Sequence, residues 1–152
     1  MRLVSERLLQ FRALFYAASG QFKAATELSK MLINALHAPA AAAHRAVWLR
    51  AYQHGLARMY WMARDYDNFR SLAPALLAPR LPTEWPFIET AIELMRGQLA
   101  ILREDWPAAE AAREEAVRTH ERFRMPMTHG DPRVSLACCA TTLAIAGGSS
   151  HL

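Results

Sequence analysis

At 152 residues the chain suits a single domain with a sizeable core, and its 53% apolar and 21% charged content excludes an intrinsically disordered polypeptide. Residues 1–64 carry nine Lys/Arg against two Glu, whereas residues 65–124 carry eight Arg against eleven Asp/Glu, so the net +4 conceals a strongly basic first half. No run approaches the ~18 apolar residues of a membrane span and the opening stretch lacks an apolar signal core, which leads us to expect a soluble cytoplasmic protein.

In chain order, apolar spacing predicts helices near residues 3–18, 21–36, 40–63, 66–78, 84–103, 107–123 and 132–146, with no strand. The breaks have local causes. Gly20 suits the left-handed residue that ends a helix. Asp65 and Asp105 stand where N-caps are needed, and Pro107 falls in the first turn, where its missing N–H costs nothing. Pro39 opens the third helix and Asp131-Pro132 the last, while Pro74 predicts a kink or an early end in the fourth. Residues 78–82 and 124–130 read as loops.

Three turns repeat: Gly20-Gln21-Phe22, Arg64-Asp65-Tyr66 and Glu104-Asp105-Trp106. Each separates two helical stretches and places an aromatic two residues after the break. A helix–turn–helix unit of roughly 40 residues is the mark of a helical solenoid, whose units bury their apolar faces by stacking. The expected fold is all-α, a tetratricopeptide-like right-handed superhelix in one domain spanning 1–152. Its units would cover about 1–38, 39–82 and 83–130, with a partial fourth at 131–148. Around the turns, Tyr16, Ala25 and Leu32, then Tyr60, Phe69 and Leu76, then Ala100, Ala109 and Ala116 take the large–small–packing positions of that pattern. Phe69 stands where a small residue is expected. A solenoid cut after residue 146 leaves an apolar face, so the chain is expected either to be a fragment or to be covered by another copy, with the fragment favoured.

These turns, the run Trp106-Pro107-Ala108-Ala109-Glu110-Ala111-Ala112 and the stretch Phe123-Arg124-Met125-Pro126 give the chain a likeness. It resembles the helical-repeat region of the MalT-like (LuxR-group) ATP-dependent transcriptional regulators. The resemblance implies a region between an NTPase module and a helix-turn-helix domain that binds inducers or partner proteins and controls self-assembly. Neither flanking module is in this sequence, which has no GxxxxGK[ST] loop. The implied function is a non-enzymatic interaction domain, the sensor or assembly region of a larger regulator. The alternatives are a general tetratricopeptide-like adaptor or chaperone and, less favoured, a nucleic-acid-binding repeat that needs Arg45, Arg50 and Arg58 on one face.

Alignment of the units predicts a concave groove lined by Arg7, Gln10 and Leu14, then His54, Arg58 and Trp61, then Leu94, Gln98 and Ile101, each set at helical spacing. Such a stripe would hold an acidic or amphipathic peptide, another protein or a small-molecule inducer. Trp61 would serve as the apolar anchor, unless it is core, and the exposed end helices offer a route to a homo-oligomer. His54 alone reads more readily as a satisfied structural histidine. No catalytic set survives: His120-Glu121-Arg122-Phe123-Arg124 lacks the second histidine of HExxH, and Glu93 is expected to pair with Arg96. Adjacent Cys138 and Cys139 read as buried thiols, and nothing calls for a metal or cofactor.

Overall fold

The structure, a computed structural model, describes residues 2–38 and 41–123. Six helices make up these residues: α1 (Arg2–Ala18), α2 (Phe22–Leu36), α3 (Ala42–Met62), α4 (Tyr66–Leu76), α5 (Phe87–Ile101) and α6 (Trp106–Arg122). Among the described residues there is no strand. The predicted helix at 132–146, Pro39, the 124–130 loop and the two cysteines lie outside the described residues.

The three turns share one backbone conformation. Gly20, Arg64 and Glu104 all hold positive φ, at 77°, 59° and 58°. The next residue in each case donates its N–H back five residues: Gln21 to Tyr16 O at 2.8 Å, Asp65 to Tyr60 O at 2.9 Å, Asp105 to Ala100 O at 3.0 Å. This is the Schellman arrangement, which satisfies carbonyls orphaned at a helix C-terminus. That same residue is also the N-cap of the following helix. Asp65 accepts from the Asn68 N–H at 3.3 Å, and Asp105 from the Ala108 N–H at 3.1 Å. Gln21 makes no side-chain cap. One helix therefore ends and the next begins with three or four residues between them, which forces a tight helical hairpin.

Two compact units divide between Trp85 and Pro86. In the first, α1 packs on α2, α2 on α3 and α3 on α4. Ala17, Ala25 and Met59 form one cluster with Tyr16 and Phe22 against it, and Leu32, Leu36 and Tyr52 form another. Phe69 is buried against the edge of Trp61, ring centroids 5.2 Å apart. Ala17 and Ala25 take the matching positions on α1 and α2, so the second hairpin fills with aromatics what the first fills by close approach. Helix α4 ends at Leu76, two residues past Pro74, which has no N–H to offer the helix.

In the second unit α5 packs on α6. Its core sets Ile88, Ile92, Met95 and Ile101 of α5 beside the small face Ala109, Ala112, Ala116 and Thr119 of α6, whose three- and four-residue spacing is one helical stripe. Buried Gly97 adds to the small surface. Helix α5 begins at Phe87, not 84, because Pro86 disfavours helical backbone at Trp85 before it. Glu93 pairs with Arg96 at 2.5 Å, as the spacing suggested, and Arg122 pairs with Glu89 from the end of α6 to the start of α5.

Candidate interaction surface

The polar side chains of α3 point two ways. Arg50 and His54, one turn apart, are buried toward the end of α4, and Arg58 is exposed. The Arg50 guanidinium donates to Leu76 O at 3.0 Å, to Pro79 O at 2.9 Å and to Ala78 O. It also pairs with Glu84 at 3.1 Å. Glu84 in turn accepts from the Leu81 N–H at 2.7 Å, and Arg80 donates to the Glu84 carbonyl at 2.8 Å. A cation is thus placed on the last carbonyl of α4 and on two carbonyls just beyond it, and the 77–85 link is tied to α3. Arg50 cannot join Arg45 and Arg58 on an open basic face, because its charge is spent internally; Arg45 reaches the His37 carbonyl at 3.4 Å.

Burial, with the Arg50 cation second, pushes the His54 pKa down to about 4, against a hydrogen bond to the Leu76 backbone that favours the charged ring. The imidazole is therefore neutral at pH 7, and its Nε2 is buried without a partner.

The predicted groove residues separate in the structure. Trp61 is buried, with its ring 5.4 Å from Tyr66 and 5.2 Å from Phe69. His54 is buried beside Arg50, and Gln98 is buried in the second unit. The side chain of Arg7 lies outside those described. Gln10 and Leu14 do meet α3, but at another stripe: they line a cavity of about 30 Å³ with Tyr52, Gly55 and Met59. That space suits one water molecule. Arg58 stands one turn on from Gly55 and is exposed, as are Leu14 and Met62.

The α1–α3 cavity thus brings Gln10 and Leu14 to Gly55, and exposed Arg58 and Met62 lie three and seven residues further along α3. The alignment missed Gly55 and Met62. A glycine in mid-helix was the available signal for Gly55, since it costs helix stability unless space or approach is wanted there. Among the described residues no three His, Cys, Asp or Glu side chains gather as a metal-binding set, and no helix is long and apolar enough to cross a membrane.

Comparison with family models, with curated proteins and with solved structures finds no match to this chain.

Proposed function

We propose that this chain is a helical-repeat interaction module that works by binding and not by turnover, and that its helical hairpins stack as a tetratricopeptide-like superhelix. The supporting observation is the turn that recurs at Gly20, Arg64 and Glu104, each with a positive φ and a return bond five residues back. Two of these positions carry residues for which that conformation is costly, so the turn persists against local preference. Repetition of one unit, here at spacings of 44 and 40 residues, is what solenoids use to build extended binding surfaces. The polar side chains are also deployed for architecture: Arg50, Glu84 and the two capping aspartates are engaged in closing helix ends.

Within that reading, the likeness of the three turns to the repeat region of MalT-like regulators makes the sensor or assembly region of such a regulator the role we favour, acting in the cytoplasm on a protein, peptide or inducer. Its support is the turn sequences themselves. The reading frame on either side of this sequence tests it. An NTPase module upstream and a helix-turn-helix module downstream support the regulator role. Flanks that carry neither sink it and leave the adaptor reading. Turnover of any substrate would sink the binding reading as a whole.

A further inference from the structure

Helix α1 turns several large apolar side chains away from its own core. Among its described side chains Ala13 and Ala17 are the buried ones, yet Leu8, Phe11 and Phe15 are 63%, 69% and 68% exposed, with Leu14 at 42%. At 100° per residue, Leu8, Phe11, Leu14, Phe15 and Ala18 fall on one arc opposite Ala13 and Ala17. Leu8, Phe11, Phe15 and Ala18 follow the alternating three- and four-residue spacing of a coiled-coil seam. An isolated exposed leucine is ordinary, but a contiguous strip with two phenylalanines marks a contact surface.

Charge decides the occupant. Arg12 lies at one edge of the arc, held by hydrogen bonds from Nε and Nη2 to the Tyr16 hydroxyl at 3.2 and 3.0 Å. At the other edge Leu14 borders the cavity lined by Gly55 and Met59, and exposed Arg58 lies one turn along α3 from Gly55. Among the described side chains of residues 8–64, Glu27 is the one carboxylate, and it is paired with Lys30 at 3.1 Å. A second copy seated here would bring together two halves that each carry nine Lys/Arg against two Glu over residues 1–64. An acidic partner helix meets no such repulsion. We infer that the outer face of α1 is the docking site for an amphipathic helix whose apolar seam packs on Leu8, Phe11 and Phe15 and whose flanking carboxylates meet Arg12 and Arg58. This goes beyond the reading above and holds whether or not the chain belongs to a regulator.

The test is fluorescence anisotropy with a labelled peptide of about three heptads, Leu along the seam and Glu at the flanking positions, beside a twin with Lys for Glu. The full chain is expected to bind the Glu peptide saturably, at least about tenfold more tightly than the Lys peptide, and less tightly as salt rises. Phe11→Ser/Phe15→Ser is expected to weaken binding at least about tenfold with the circular dichroism spectrum unchanged, since both rings are exposed. Arg12→Glu, a change at an exposed position, is expected to reverse the preference between peptides and serves if the double variant fails to fold. Equal binding of the two peptides, or binding that both variants leave intact, overturns the proposal. So does absence of saturable binding; a sedimentation mass twice that of the chain, lost in Phe11→Ser/Phe15→Ser, then gives the face to a second copy.

Discussion

Arg64 holds the left-handed backbone that Gly20 holds 44 residues earlier, with φ of 59° against 77°. A residue with a Cβ carries a penalty of about 1–2 kcal/mol in this conformation. It is tolerated because the return bond from Asp65 to Tyr60 and the Asp65 cap of α4 both depend on it. Arg64→Gly and Glu104→Gly should therefore each stabilise the fold by about 0.5–1 kcal/mol, the relief of strain exceeding the extra entropy of an unfolded glycine. Gly20→Ala should cost about 1 kcal/mol, although nothing crowds a Cβ there, because only φ opposes it. Urea denaturation at constant m-value checks all three.

The N-caps differ in a way that sets their mutational response. Asp65→Ala and Asp105→Ala each remove a carboxylate that accepts a first-turn N–H, and each should cost about 1 kcal/mol. Gln21 takes the same position without a side-chain bond, so Gln21→Asp should stabilise by a similar amount. Equal responses at all three positions, read from thermal midpoints, would contradict this account.

Removal of Arg50 should be among the most damaging single changes. Arg50→Met leaves Glu84 buried as an uncompensated charge and strips three carbonyls of their donor, for an expected loss of about 3–5 kcal/mol. Glu84→Gln keeps an acceptor for the Leu81 N–H and should cost less. Because Arg50 serves carbonyls as well as Glu84, Arg50→Met/Glu84→Gln should stay well below wild type. Recovery to wild-type stability in the double-mutant cycle would show that the charge pair alone mattered.

His54 predicts the acid limb of stability. Its folded pKa, about 4, lies below the unfolded value near 6.5, so the unfolded chain binds the extra proton first. Stability contributed by the neutral ring is intact above about pH 6.5, falls as pH drops through that window, and is lost near pH 4. The full effect is of the order of 3 kcal/mol. His54→Gln should flatten the dependence of the urea midpoint on pH between 4 and 6.5; an unaltered slope would exclude His54 as its source.

Gly55 offers a separable test of the α1–α3 surface. A Cβ there meets nothing within 4 Å, so Gly55→Ala should stabilise α3 by about 1 kcal/mol through helix propensity. Thermal denaturation reads the gain, and an unchanged or lowered midpoint would mean the site is tighter than its geometry indicates.

How much was legible in advance follows from the range of the forces involved. Helices, hairpin turns and caps were readable because each depends on residues within about five positions: Gly20 or its substitute, the aspartate after it, the proline in the first turn. The all-helical fold followed, and so did the Glu93–Arg96 pair one turn apart. The orientation of α3 was not readable. Its apolar residues lie on all sides, so no stripe in Ala42–Met62 distinguishes the face bearing His54 and Trp61 from the one bearing Gly55 and Arg58. Nor did periodicity connect Arg50 with Glu84, 34 residues on. By itself, then, the sequence determined where the chain turns, since a turn is chosen by the φ and the cap of two adjacent residues. Only the tertiary structure decided which side chains reach solvent, because that depends on neighbours brought close by packing and not by position along the chain.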